Sequence, residues 1–261
     1  MTDRPRALVT GASAGIGLTF ARQLARTGHD LILVARRAER LEDLAAELRE
    51  AHGVEVEVLA ADLADPAGVA AIVARIEADP PVDMLVNNAG YAVRGTVAQL
   101  DPDALAEMVQ VNIVAASRLA HAAMAQMTRA GHGTIINVAS GTVFAQFPGN
   151  AGYGASKNFI MAFTRHMQLE AEGSGVRVQL LVSGVIATDF HAVAGNDLSN
   201  FPADRIMQPD ELVAASLRAL ALAEPVCIPS LPDIRAWDDY VAAEAAIWQD
   251  ASKDRAAPRY H

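Results

Sequence analysis

The chain is poor in cysteine: Cys227 stands alone among 261 residues, which excludes an internal disulfide and a cysteine-built metal centre and fits a reducing compartment. Aromatic residues make up only 5%. Positive charge is short as well, with a net charge of −10, so the clustered Lys and Arg that nucleic-acid phosphates demand are not expected and nucleic acid is excluded as a partner. No apolar run reaches membrane-spanning length, and the opening "MTDRPRALVTG" enters a strand without a signal-peptide apolar region. A cytoplasmic protein without a membrane partner is expected. The seven histidines show no metal-ligand spacing, no H-E-x-x-H among them, and His191 reads as a loop or pocket residue; no metal is expected. Linkers, repeats and low-complexity stretches are lacking too.

What is present is a composition 52% hydrophobic, enough for a core without staples. Short β-branched or leucine-rich runs at 6–10, 30–35, 54–60, 83–87, 133–139, 176–182 and 226–228 alternate with helical segments near 15–27, 37–51, 65–78, 101–130, 153–172 and 209–222. Unbroken apolar strands suit a parallel sheet covered on both faces. Asp65-Pro66, Asp101-Pro102 and Gln208-Pro209 put proline at the first helical position, with the aspartates as N-caps. Repeated strand–helix–strand units predict an α/β fold: one Rossmann-like, doubly wound parallel sheet of about seven strands. A single domain over 1–261 is expected, with a cofactor half (about 1–135), a catalytic and substrate-loop half (about 136–230) and a C-terminal extension (about 231–261). In the extension, Trp237, Tyr240, Val241 and Trp248 fall on one helix face.

"LVTGASAGIG" closes the first strand and opens the first helix, with Gly11, Gly15 and Gly17 spaced G-x-x-x-G-x-G. Glycines there let the chain turn sharply and bring backbone N–H groups to an anion at the helix N-terminus. After the first strand of a βαβ unit, this reads as a dinucleotide loop; Ser13 and Ile16 lie within it. The spacing is neither G-x-G-x-x-G nor a Walker loop.

The triplet resembles that of the short-chain dehydrogenases/reductases, and four further motifs follow in the family's order over about residues 4–190. These are Asn87-Asn88-Ala89-Gly90 after the fourth strand, Asn112 in the next helix, Ser140 ending the fifth strand, and the pair Tyr153 and Lys157 of "YGASK". The resemblance implies Asn112, Ser140, Tyr153 and Lys157 as catalytic residues. It assigns the cofactor to the glycine loop, Asp62 and Leu63 near the adenine, Asn88, Ala89 and Gly90, Tyr153 and Lys157, and Gly184, Ile186 and Thr188. It further implies that Lys157 holds the nicotinamide ribose, that Asn112 supports a water-linked proton path to Lys157, and that the long helices pair into a homodimer or homotetramer.

The spacing makes chemical sense by itself. Residues i and i+4 share a helix face, so Tyr153 and Lys157 can address one ligand. A phenol is a weak acid at neutral pH, and a nearby ammonium, joined by the positive charge of an oxidised nicotinamide, is expected to lower its pKa. Ser140 can hydrogen-bond a substrate oxygen that gains negative charge. Where an NAD enzyme usually carries an acid at the end of the second strand, this chain has Ala35, Arg36 and Arg37; arginine suits a 2′-phosphate, so NADP(H) is favoured over NAD(H). One departure from the family is Ser183, where it usually has proline before Gly184.

The expected activity is interconversion of a ketone or aldehyde with an alcohol. Phe144, Phe147 and Phe190, with Ser140 and Tyr153, would line an apolar substrate site formed by 141–150 and the loop after Thr188. Alternatives are a nucleotide-sensing protein of the same fold without turnover, an NAD(H)-preferring alcohol dehydrogenase, and an epimerase or dehydratase relative; the last lacks its usual G-x-x-G-x-x-G loop here.

Overall fold

The computed structural model describes residues 4–193 and 197–260. Six strands lead the chain: β1 (Arg6–Thr10), β2 (Asp30–Ala35), β3 (Val56–Ala60), β4 (Met84–Asn87), β5 (Gly133–Ser140) and β6 (Val176–Ser183). Then come a two-residue pair, β7 (Val185–Ile186) and β8 (Ile206–Met207), and a last strand, β9 (Val226–Cys227). All seven strands of the main sheet run parallel, in the order β3-β2-β1-β4-β5-β6-β9; β7 and β8 form a separate parallel pair. The helices are α1 (Gly15–Arg26), α2 (Ala38–His52), α3 (Pro66–Glu77), α4 (Pro102–Val109), α5 (Ala116–Ala130), α6 (Ala151–Glu170), α7 (Phe190–Val193), α8 (Pro209–Ala221) and α9 (Arg235–Ala251).

The unbroken apolar strands follow from two-sided burial. Ala7, Val9, Leu31 and Leu33 join one core with Phe20, Leu24, Leu41, Leu48 and Leu212, from α1, α2 and α8. The alternate residues Leu8, Ile32 and Val34 join the other, with Val69, Ile72, Leu119 and Met167, from α3, α5 and α6. Period-2 alternation sends neighbouring side chains to opposite faces, and helices cover both. Strand order reverses between β1 and β4, so the crevice at their carboxyl ends is where this architecture receives a ligand.

Two polar devices fix the register beneath that crevice. Asn87 donates to Ala116 O (2.7 Å) and Asn137 Oδ1 (3.2 Å), while Asn137 donates to Thr164 Oγ1 (3.0 Å), a buried ladder across β4, β5, α5 and α6. Asp65 and Asp101 cap α3 and α4 as expected, accepting from Ala67 N–H and Asp103 N–H.

Most boundaries fall within two residues of expectation; β3 begins at Val56, and α6 runs 151–170. One expectation is corrected. The helix foreseen over 101–130 is α4 and α5 joined by a π-helical turn, Gln110–Ala115, with Asn112 inside it.

Contacts divide the chain into two compact units, residues 1–228 and 229–261, the second close to the foreseen extension. In it, the Trp237 and Tyr240 rings lie 5.5 Å apart and Tyr240 donates to Glu244 at 2.5 Å. Trp237 is buried, whereas Trp248, on the same face, is 75% exposed. Among the described residues, no helix is long and apolar enough to cross a membrane.

Candidate active site

A cleft of about 950 Å³ opens at the carboxyl ends of the strands, and the glycine loop forms one end of it. Gly11 and Gly15 adopt φ of +70° and +55°, a region that side chains disfavour. Gly17 lies beneath the loop, where a Cβ would sit 2.4 Å from Gly11 O and 2.7 Å from Asn88 Nδ2. Helix α1 begins with no side-chain cap and no acid in its first turn, so its N–H groups remain directed at an anion. A residue not singled out in the sequence, Thr10, ties this loop to the next. Its hydroxyl accepts from Asn88 N–H (2.9 Å) and Ala89 N–H (3.0 Å) and donates to Val86 O (3.2 Å), while Asn88 Nδ2 donates to Thr10 O (2.9 Å). Thr188 closes over the far side: a Cβ on Gly15 would lie 3.2 Å from Thr188 Cγ2.

Beyond β2, Arg36, Arg37 and Arg40 all line the cleft and are exposed. Arg37 Nη2 donates to Ser13 Oγ at 2.9 Å, which holds one guanidinium against the glycine loop. Asp62 and Leu63 line the same end, and Asp62 accepts from Ala64 N–H at 2.9 Å.

At the other end, Ser140, Tyr153 and Lys157 share one wall, exposed only 7%, 8% and 6%. Ser140 sits where β5 ends and accepts, at 3.4 Å, from Thr142 N–H. Tyr153 and Lys157 come from the first turns of α6, and the Lys157 ammonium lies 5.9 Å from the Tyr153 ring centre. Lys157 Nζ donates to Val138 O at 2.9 Å. Asn112 is not on the cleft wall. Its amide is spent behind the wall, accepting from Tyr91 N–H (3.1 Å) and donating to Tyr91 O (2.9 Å) and Ser156 Oγ (3.1 Å). The π turn thus presents a side chain that clamps the Gly90–Tyr91 backbone, and a Cβ on Gly90 would lie 2.9 Å from Asn112 Oδ1.

Burial pushes Tyr153 up to about 12. The two influences pulling the other way are the hydrogen bond with Ser140 and the positive charge of Arg94. Burial also makes Lys157 a reluctant cation, its own pKa brought down to about 8.

The cleft also gathers Gly184, Ile186, Thr188, Phe147 and Phe190, as expected, and the Phe190 ring lies 5.7 Å from that of Tyr153. Phe144 is a correction: it is 45% exposed and off the wall, because the 3-10 turn Gly141–Phe144 carries it away. Residues 194–196 of the foreseen substrate loop lie outside the described residues. Ser183, the departure from proline, is buried and donates to Ala139 O at 3.1 Å, cross-linking β6 to β5 beside Ser140. Arg40, Arg94, Arg205 and Phe201 line the cleft without having been foreseen; no hydrophobic period or motif marks them.

Comparison with known proteins agrees with this fold. The chain is 39% identical to a short-chain dehydrogenase from Sphingobium yanoikuyae whose structure holds NADPH, with a TM-score of 0.93 over 98% of this chain and all of that one. It is 33% identical to a bulky-bulky ketone specific alcohol dehydrogenase from Comamonas testosteroni, with a TM-score of 0.90 over 99% of each chain. A human protein named inactive hydroxysteroid dehydrogenase-like protein 1 is 32% identical over 188 residues; the match takes in 71% of this chain and 57% of the human one, so the chain spans little more than half of that relative's length. The short chain dehydrogenase family profile matches residues 5–198. The chain belongs to that family of oxidoreductases.

Proposed function

We propose that this protein is an NADP(H)-dependent oxidoreductase that interconverts a ketone or aldehyde and an alcohol, with Tyr153 as the general acid and base. The observation that carries the reading is the convergence of Ser140, Tyr153 and Lys157 on one buried wall of a cleft whose other end is an anion-binding glycine turn. The NADPH held by the Sphingobium yanoikuyae relative and the ketone in the Comamonas testosteroni relative's name support it.

The residues present fit the cofactor. Gly17 leaves no room for a side chain, so the loop lies close against its own helix start, as pyrophosphate binding requires. Ser13, Ile16, Asn88, Ala89 and Gly90 would surround the dinucleotide, Asp62 and Leu63 its adenine, and Gly184, Ile186 and Thr188 its nicotinamide end. When bound, the nicotinamide supplies or accepts the hydride and, when oxidised, adds a positive charge to the site.

Tyr153 then donates its hydroxyl proton to the carbonyl oxygen in reduction, or takes the alcohol proton in oxidation. Ser140 donates a hydrogen bond to the same oxygen and stabilises its developing negative charge. Lys157 uses one N–H on Val138 O and keeps two for ribose hydroxyls and for restoring the Tyr153 proton. Asn112 acts by holding the Gly90–Tyr91 backbone beside Lys157. The human relative's name favours a reading without turnover, but a pure nucleotide binder would have no use for the proton donor Tyr153 beside Ser140. A panel of ketones and aldehydes followed by NADPH absorbance tests the reading; binding of NADPH without its consumption across the panel would leave the sensing alternative.

The arginines beyond β2 support a preference for NADP(H). A 2′-phosphate carries about two negative charges, and a charge-assisted hydrogen bond is worth roughly 1.5–3 kcal/mol. Arg36→Ala and Arg37→Ala are each expected to cost NADPH about ten- to a hundredfold in kcat/KM and to leave NADH nearly unchanged. Equal losses with both cofactors, or a parent that prefers NADH, would place these arginines in solvent.

We also propose at least a homodimer. Val114 (38% exposed) precedes α5, while Phe159 (38%) and Leu169 (66%) on α6 face outward, and Phe159 stacks on Phe163 with ring centres 5.6 Å apart. An apolar helix surface of this kind is usually covered. Light scattering at micromolar concentration should give at least twice the chain mass of 27.5 kDa; a monomer mass would contradict the pairing.

A further inference from the structure

The cleft carries arginines beyond those at the 2′ end. Its walls carry Arg36, Arg37, Arg40, Arg94, Lys157 and Arg205 against Asp62, Glu107 and Asp189, on a chain whose net charge is −10. Three of the arginines belong to the 2′ end. Arg94 and Arg205 do not: Arg94 lies on the loop after β4, close enough to Tyr153 and His191 for its charge to act on both, and Arg205 ends the 3-10 turn before β8. Among the described residues, neither forms an ion pair with a carboxylate. Of the three acids on the walls, Asp62 accepts from Ala64 N–H, Glu107 is hydrogen-bonded to Tyr91, and Asp189 is exposed beside Thr188.

Aromatic groups share this end with the arginines. Phe147 and Phe190 line it, and His191, 9% exposed, lies edge-on between Phe190 (5.7 Å) and Phe201 (5.4 Å). Burial and the charge of Arg94 both push His191 toward its neutral form, so the arginines are the cations here. Arg94 and Arg205 are exposed, so a wholly apolar ketone would leave both in water and draw nothing from them. An oxyanion would meet them with bidentate, charge-assisted hydrogen bonds, for which the arginine fork is shaped and lysine is not.

We infer that Arg94, together with Arg205, receives an anionic group, and that the substrate is a carbonyl compound with an apolar body and a carboxylate-like end. The anion anchors the molecule at Arg94, the phenylalanines hold its body, and the carbonyl is turned toward Ser140 and Tyr153. This deepens the oxidoreductase reading and rests on it for the carbonyl end, while the anion site can be measured by itself.

The probes are 4-acetylbenzoate and its methyl ester, which differ at the far end of one aromatic ketone in charge and by one methyl group. Binding of each to the protein saturated with NADP⁺ is measured by calorimetry, and kcat/KM of each with NADPH, in the parent, Arg94→Met and Arg205→Met. Because Arg94 also acts on Tyr153, the readout is the acid-to-ester ratio, in which an effect on the proton donor cancels. The parent should favour the acid at least about tenfold, and Arg94→Met should lower the ratio about ten- to a hundredfold, the worth of one charge-assisted contact. Arg205→Met should lower it in the same direction. A parent that binds acid and ester alike, or a ratio unchanged in Arg94→Met, overturns the inference. Arg94-dependent preference for the acid in binding, with no turnover of either ketone, would uphold the anion site and sink the redox reading; turnover of the ester without any preference for the acid would do the reverse.

Discussion

Tyr153→Phe is expected to lower turnover by about 10²–10⁴-fold, the contribution of a positioned acid or base, and to leave NADPH affinity nearly unchanged. The substitution removes one oxygen from a ring that is 8% exposed and otherwise keeps its neighbours: Phe190 at 5.7 Å, and Met108 and Ala92 in the same small core. The hydroxyl's partner is Ser140, at the substrate end of the cleft, so a loss of turnover at unchanged NADPH affinity points to the reacting oxygen rather than to the nucleotide. Steady-state rates and a fluorescence titration with NADPH check the two halves. Turnover near that of the parent would remove Tyr153 from the reaction.

Lys157→Met should damage two steps together. The proposed contacts to ribose hydroxyls would be charge-assisted, so NADPH binding is expected to weaken about ten- to a hundredfold, and turnover of the bound complex should fall as well if Lys157 restores the proton of Tyr153. Misfolding is not the expected cause. A buried ammonium whose pKa is brought from 10.5 to about 8 costs the fold stability wherever it is charged in both states, below pH about 8. Between about 8 and 10.5 the unfolded chain holds the proton and the folded one does not, so that cost fades as pH rises. The methionine variant should therefore gain on the parent in denaturant midpoint near neutral pH and lose that advantage near pH 10.5. Unchanged NADPH affinity would remove the ribose role, and an advantage independent of pH would show that the buried lysine is not the titrating group.

The sheet was legible because its strands are unbroken and its helices periodic, and because Asp65-Pro66 and Asp101-Pro102 mark two helix starts. The glycine loop, Ser140, Tyr153 and Lys157 were legible because their chemistry fixes both residue type and spacing. The π turn at 110–115 was not. It carries the buried Asn112 that clamps Tyr91, and that contact is between segments 21 residues apart, which no helical period within 101–130 records. Thr10 was missed for the same reason, since its partners are 78 and 79 residues away. Arg94, Arg205 and Phe201 lie on irregular loops, whose course is set by what they fold against. Spacing places the Lys157 ammonium near Tyr153 but is silent on desolvation, which pushes the phenol up.

The central claim is that hydride passes between NADP(H) and a carbonyl carbon while Tyr153 handles the proton. Its most direct test uses NADPH deuterated at the transferable position of the nicotinamide, a ketone that the panel shows to be consumed, and mass spectrometry of the alcohol. The parent should place one deuterium on the carbinol carbon, and Tyr153→Phe should form that product about 10²–10⁴-fold more slowly. Alcohol without deuterium, or deuterated alcohol formed equally fast by Tyr153→Phe, would contradict the account.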